Sequence, residues 1–374
     1  MKILLQSTLF HPSVGGIETV SKCLAENYVR LGNECTVITR TAALEPDREI
    51  YNICRNPGKD EKKELVQNHD IIHCNGASLE LVFLAKKYSK PIIWTHAGYQ
   101  LVCIDGLGWY EGNPSPLRPL QSYLFHCKQQ GFARASIEIA KLALRILASH
   151  LVTKNVAITK WVAMRQPLPN QTVIYNPFPL SQFSCRMGEA EEYEFDFFFL
   201  GRLVSEKGVG TLLKAFHLFL QENPTYNKKL LIIGNGNWLS KLIQICHELS
   251  ITEKVVFAGK QTGSELLKWV KKGKISIIPS EWEEPMGGVA LEMLAAGKLV
   301  IVSENGGLSE CIGNAGITFP NGNFVALKEK MNLVLHSAEL QTELFNAAPA
   351  QLANFQEMNK VLEYITLFSN ILNE

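Results

Sequence analysis

Two doubly wound α/β domains are what this chain of 374 residues predicts, and three observations carry the prediction. The chain opens with an apolar run, Lys2 to Gln6, followed by Gly15-Gly16 and a helical pattern from about Ile17 to Leu31 that closes at Gly32. A second, fully apolar run, Phe195 to Leu200, restarts the same alternation in mid-chain. Later, Ile275 to Ile278 and Leu299 to Val302 flank a helical run, Val289 to Ala296, which makes a strand-loop-helix-strand unit. The length suffices for two sizeable cores.

Taken in order, Cys35 to Thr39, Asp70 to Cys74 and Pro91 to Thr95 are further strands, with an apolar helix from about Ser78 to Tyr88 between the last two. His96 follows directly on the strand ending at Thr95, the carboxyl end at which open α/β sheets place ligands. A lone histidine there also suits an ordinary core position. The loop from about Ala97 to Pro119 is rich in Gly, Pro and aromatics and carries Asp105, Trp109 and Tyr110. A ring that stacks on a sugar face beside a carboxylate that takes its hydroxyls suits a saccharide acceptor. A plain packed loop is the other reading.

From Ala133 to Ala148, Ile137, Ala140, Leu144, Leu147 and Ala148 fall on one helical face and Arg134, Glu138, Lys141 and Arg145 on another. Residues 116–170 hold eight bases and the single acid Glu138. Such a surface is either solvated or rests on anionic lipid. Thr172 to Tyr175 is a further strand followed by the turn Asn176-Pro177-Phe178-Pro179, and an acidic run, Glu189 to Asp196, leads into the apolar run Phe195 to Leu200.

After Phe195–Leu200, the segment G-R-L-V-S-E-K-G sets Arg202 and Lys207 near a strand's carboxyl end. A guanidinium forks onto phosphate and an ammonium acts as a movable point charge, so the two could neutralise a departing diphosphate. A surface ion pair of Lys207 with Glu206 competes with that reading. Lys229 to Ile233 is the next strand and ends at Gly234; Trp238 to Leu249 is its helix; Val255 to Lys260 is a strand and glycine turn containing Gly259. Glu265 to Lys272 is helical, and the late elements are a strand, Ala315 to Phe319, and helices over about Phe324 to Ala348 and Phe355 to Asn373.

Before the helical run at Val289, Gly287 and Gly288 offer a bare-backboned turn to an anion, flanked by Met286 and Val289. Glu284 and Glu292 lie on either side of that turn with seven residues between them. Carboxylates at an anion-attracting turn suit neutral hydroxyls, Glu292 those of a ribose and Glu284 those of a second sugar. A dipole-complementing Glu284 and a solvated Glu292 fit the same spacing.

Glu284-x7-Glu292, with Pro285, Gly287, Gly297 and Gly306-Gly307, resembles the C-terminal signature of retaining glycosyltransferases of family 4, whose fold is GT-B. The resemblance implies two Rossmann-like domains: residues 1–177 with a returning C-terminal helix at about 355–374 on the acceptor side, and 178–354 on the nucleotide-sugar side. It implies that Arg202, Lys207, Glu284 and His96 act in catalysis. It places Gly15, Gly16, Gly234, Gly259, Lys260, Met286, Gly287, Gly288, Val289 and Glu292 at the donor, with Lys260 near the base. The implied reaction moves a hexose, glucose from UDP-glucose first and mannose from GDP-mannose second, to a saccharide or lipid-linked acceptor in polysaccharide biosynthesis. No D-x-D motif is present, and no metal or other cofactor is expected. A non-catalytic nucleotide-sugar-binding subunit is the alternative.

Composition narrows the remaining classes. A net charge of +1 argues against nucleic acid held by bulk charge. The nine cysteines form no C-x-x-C pair, which argues against zinc or a redox dithiol and for a reducing compartment. The absence of G-x-G-x-x-G argues against a nicotinamide enzyme. No apolar run reaches the roughly 18 to 20 residues that span a bilayer. The expectation is a cytoplasmic enzyme, peripheral at most on the inner membrane face.

Overall fold

The structure, a computed structural model, describes residues 1–13, 15–43, 46–183 and 193–374. Residues 189–192 of the acidic run at 189–196 lie outside them. The chain divides into two compact units: Met1–Tyr110 with Ser115–Pro179 and Phe355–Glu374, and Glu111–Pro114 with Leu180–Asn354.

The first unit is built on β1 (Lys2–Gln6), α1 (Gly16–Arg30), β2 (Glu34–Thr39), β3 (Asn52–Arg55), α2 (Lys59–Asn68), β4 (Ile71–Asn75), α3 (Leu79–Lys87) and β5 (Ile92–His96). It continues through α4 (Pro119–Gln130), α5 (Phe132–Ser149), β6 (Lys154–Ala157), α6 (Lys160–Arg165) and β7 (Gln171–Val173). Its strands form one parallel sheet in the order β3-β2-β1-β4-β5-β6-β7. The central strands are buried along their whole length, as a parallel sheet covered on both faces requires. The C-terminal helix, Glu357–Asn373, packs on this unit: Tyr364 Oη lies 3.1 Å from Thr95 Oγ1, and the Phe368 ring 5.7 Å from that of Tyr28. His73 sits between these residues, bonded to Tyr28 Oη at 2.9 Å and to Thr95 Oγ1 at 2.8 Å. The result is a buried polar chain with every member partnered, the condition under which such groups are tolerated in a core.

The second unit holds β8 (Phe195–Leu200), α7 (Val209–Glu222), β9 (Leu230–Ile233), α8 (Leu239–Glu248), β10 (Val255–Gly259), α9 (Gly263–Lys272) and β11 (Gly273–Ile278). After these come α10 (Gly288–Ala295), β12 (Leu299–Ser303), α11 (Leu308–Ile312), β13 (Ile317–Phe319), α12 (Phe324–His336) and α13 (Ala338–Ala353). The sheet order is β10-β9-β8-β11-β12-β13, all parallel. Phe197, Phe219 and Tyr226 meet edge to face in its core, with Phe219 and Tyr226 centroids 4.9 Å apart. Asp196, the one acid in β8, is satisfied by Lys228 at 2.9 Å.

One expectation changes at the level of elements. The helix read over Phe324 to Ala348 is two, because the Ser337 hydroxyl accepts from the Leu340 amide and caps a new helix there. In α5, Ala135, Leu142, Ala148 and Ser149 face inward, while Ile137, Leu144 and Leu147 point to solvent. The inner stripe follows the spacing 135, 142, 149, and Ile137, Leu144 and Leu147 lie on the outer face. Leu120 and Leu124 of α4 and Phe132 at the start of α5 are exposed as well. Among the described residues no helix is long and apolar enough to cross a membrane.

Candidate active site

In the second unit the chain leaves β8 toward β9 on one side of the sheet and returns to β11 on the other, so the order of strands reverses between β8 and β11. Loops that follow two such strands part in opposite directions and open a crevice at their carboxyl ends. Arg202 and Lys207 follow β8, and Glu284 follows β11. The structure brings the last two together: Lys207 Nζ lies 2.5 Å from Glu284 Oε1. Glu284 Oε2 accepts from Ser280 Oγ at 2.6 Å. Both partners of the ion pair are largely shielded from solvent. Lys207 thus takes a partner other than the Glu206 anticipated for a surface pair. Glu206 instead stands 3.7 Å from Arg202, whose side chain is 70% exposed and free to turn to a ligand. The Lys207 ammonium also lies 5.8 Å from the Trp282 ring centroid.

Backbone geometry fixes this crevice. Gly208 has φ +66° and a Cβ there would stand 1.9 Å from the Pro279 carbonyl oxygen, so only glycine lets the β8 and β11 loops close on each other. At Gly234 φ is +148° and a Cβ would meet the Gly201 carbonyl oxygen at 1.8 Å. Glu284 is held from both sides of its backbone, since it bridges Gly306 in parallel and its carbonyl accepts from the Gly307 amide at 2.7 Å. At Gly306 φ is +132° and a Cβ would stand 2.8 Å from the Glu284 backbone, so this contact requires the first glycine of the pair.

The turn before α10 is less open than its glycines suggest. Gly287 N–H donates to Cys311 Sγ at 3.3 Å, which removes it from the set of free donors, and a Cβ on Gly287 would press on Leu308. Its role is packing against α11. No side chain caps α10, so the amides of its first turn, Gly288 and Val289 among them, remain available. Met286 is buried and Val289 half-buried. Glu292 sits inside α10, where burial pushes its carboxyl up to about 7. This is not the solvated helix face that the spacing alone also allowed. Gly259 ends β10 and Lys260 beyond it is exposed.

In the first unit His96 ends β5 but is buried. Its Nε2 bonds Asn155 Oδ1 at 2.8 Å, its ring lies on Trp94 with centroids 4.8 Å apart, and burial lowers its pKa to about 4. The imidazole is neutral at pH 7 and one nitrogen is committed to the sheet. Gly15 precedes α1 in an extended conformation, and a Cβ there would meet the Glu18 carboxylate; Gly16 faces open space.

In the 97–119 loop the residues read as facing an acceptor make contacts within the protein. Asp105 accepts from the Leu107 and Gly108 amides at 2.8 and 2.6 Å, from His126 at 3.0 Å, and from the Ser115 hydroxyl. These bonds hold its carboxyl below the usual range despite burial, and they leave it little capacity for a sugar. Asp105 organises the loop. Trp109 is buried as well, and Tyr110 stands edge-on to Phe125 and His126. Sequence reasoning also passed over Ser280 and Gly208, although the glycine was legible as the last letter of G-R-L-V-S-E-K-G.

Residues 186–351 match the family model described as glycosyl transferases group 1. An uncharacterized glycosyltransferase of Methanocaldococcus jannaschii is 28% identical over 83% of this chain and 83% of its own. An uncharacterized 42.6 kDa protein in the cps region of Klebsiella pneumoniae is 24% identical over 83% and 87%. Among solved structures, Anabaena Alr3699/HepE in complex with UDP superposes with TM-score 0.72 at 17% identity, covering 99% of this chain and 100% of that one. With its two parallel, doubly wound sheets, the chain has GT-B architecture, and its second unit carries the match to the glycosyl transferases group 1 model.

Proposed function

We propose that the protein is a retaining hexosyltransferase that moves glucose from UDP-glucose to a saccharide or lipid-linked saccharide in polysaccharide synthesis. The observation that carries this reading is the Lys207–Glu284 pair at the reversal point between β8 and β11, with Arg202 exposed beside it. Lys207 and Arg202 take the diphosphate, Glu284 the hydroxyls of the donor sugar, and Glu292 the ribose. The glycosidic bond to phosphate breaks as the acceptor oxygen attacks the face being vacated. The acceptor proton passes to the departing phosphate oxygen, and configuration is kept. In this reading positioning and leaving-group stabilisation do the work, without a metal. His96, neutral and fixed, is the first unit's contribution in this reading.

What supports UDP-glucose over GDP-mannose is that the similar Anabaena protein has been solved with UDP and, separately, with UDP-glucose. What supports a membrane-associated acceptor is the outer face of α4 and α5, where Leu124, Phe132 and Leu144 stand beside Arg134 and Lys141. A calorimetric and thermal-shift panel of UDP, GDP and ADP tests the donor. At a concentration about 100-fold above Kd, UDP should add roughly 2.7 kcal/mol and the others little. Stabilisation by none of the three would end the reading, and an inverted anomer in the product would end its retaining part.

A further inference from the structure

The first unit has its own reversal point, between β1 and β4, and a cavity of about 580 Å³ opens there. That volume falls in the range of small-molecule sites. It is lined by the residues that follow β1, β2, β3 and β4, and by Arg145 from α5. Three bases and one acid face it. Lys62 is neutralised by Glu80 at 2.7 Å, which leaves Arg40 and Arg145 with no ion-pair partner among the described residues. The rest of the wall is hydroxyl and amide: Thr8, Thr39, Asn56 and Ser78. Gln6, also on the wall, is 7% exposed, and its Oε1 is buried without a hydrogen-bond donor. A carbonyl left so costs stability until a donor reaches it.

We infer that this cavity binds a sugar unit carrying an anionic group, a phosphate or a carboxylate. Arg40 and Arg145 take the anion, and Gln6 with the neighbouring hydroxyls takes the ring hydroxyls. Two unpaired guanidiniums are wasted on a neutral hexose, whereas a bare anion leaves Gln6 unsatisfied. The recognition chemistry stands on the cavity alone. That the bound sugar is the acceptor rests on the glycosyl-transfer reading. The arrangement also gives Arg145 a place other than a lipid-facing surface.

The test is calorimetry of the full chain with glucose 6-phosphate, glucuronate, glucose and inorganic phosphate, with UDP binding measured in parallel. One or both charged sugars should bind about tenfold or more tighter than glucose and than inorganic phosphate. Arg40→Gln and Arg145→Gln should each weaken that binding about tenfold, leave UDP affinity within about twofold of the parent and keep the parent's thermal transition, which shows that both units of the variants fold. Of the two charged sugars, the tighter one identifies the anion. Charged sugars no tighter than glucose, no tighter than phosphate, or indifferent to both substitutions would overturn the inference. UDP binding with no charged-sugar binding defeats this proposal alone; charged-sugar binding with no UDP binding defeats the donor reading and leaves the cavity assignment standing.

Discussion

The two units share a topology and differ in what lines its reversal point. In the second unit the crevice is walled by backbone: Gly208 and Gly234 stand where any side chain would strike a carbonyl, and the charges inside already face one another. In the first unit the equivalent place is walled by side chains around a cavity, with two guanidiniums unpaired among the described residues. Backbone walls suit a diphosphate, which is the same in every nucleotide sugar. Side-chain walls can be rewritten one residue at a time, and they suit the partner that varies. On the proposed reading, specificity belongs to the first unit and leaving-group chemistry to the second.

The largest effect that would break this division comes from the Lys207–Glu284 pair. In the resting protein Glu284 holds the ammonium that a diphosphate would need, so the acid and the ligand compete for it. Lys207→Met should lower turnover by about 10² to 10³ and weaken UDP as well. Glu284→Gln should cost turnover a similar factor of about 10² to 10³ but leave UDP affinity equal or higher, because the competing anion is gone. Neither substitution should alter binding in the first unit's cavity. Rates of UDP release from UDP-glucose, with UDP titrations on the same samples, check the first two statements, and charged-sugar titrations check the third. Parallel losses of UDP affinity in both variants would show that Glu284 merely holds the fold.

How much of this was written in the sequence follows from which forces act locally. β8, six apolar-rich residues buried from Phe195 to Phe199, was legible because a strand covered on both faces has no polar alternation to hide it. β3 and α2 were not, since Asn52–Arg55 and Lys59–Asn68 are mostly polar and hold their places through neighbours. At the site, glycines and acids before α10 announced a ligand turn, but a pattern along the chain cannot show that Gly287 spends its amide on Cys311, 24 residues on. Nor could it show that Asp105 is consumed by His126 and Ser115. For α5 periodicity gives the stripes and not their direction: Ala135 faces in while Ile137 faces out. Arg40 and Arg145 carry no local signal, since only the sheet order brings them to one cavity.

Acid should separate the units next. Burial lowers His96 to about 4 and His73 to about 3, against an ordinary 6.5, and both lie in the first unit. Below pH 6.5 the unfolded chain binds protons at these sites that the folded chain refuses. Their contribution is therefore intact above 6.5 and is lost as the pH falls toward 4 for His96 and 3 for His73. Near pH 5 the two together give a slope of roughly 2.7 kcal/mol per pH unit. Hydrogen exchange followed by mass spectrometry at pH 7 and pH 5 should show protection falling more in peptides of β4, β5 and the C-terminal helix than in β8 and β11. Imidazole resonances titrating near 6.5 would remove the cause.

The smallest effect is the most specific to the nucleotide. Glu292 has its carboxyl raised to about 7 by burial, so its sign is opposite to that of a salt-bridged acid. The folded chain holds a proton that the unfolded chain releases near 4.5, and stability falls as pH rises from there through about 7. Ribose hydroxyls donating to this carboxylate favour its charged form and pull the value down. UDP binding at pH 7 should then expel on the order of half a proton, more at pH 6 and almost none at pH 8.5. Calorimetry in two buffers of different ionisation enthalpy measures the number directly. Glu292→Gln should abolish the release and, by removing the buried charge, raise the melting temperature more at pH 8 than at pH 5. Release that persists in the variant would assign the proton to another group and take the ribose from Glu292. Binding with no proton release at any pH would mean that the nucleotide leaves this carboxyl as it was.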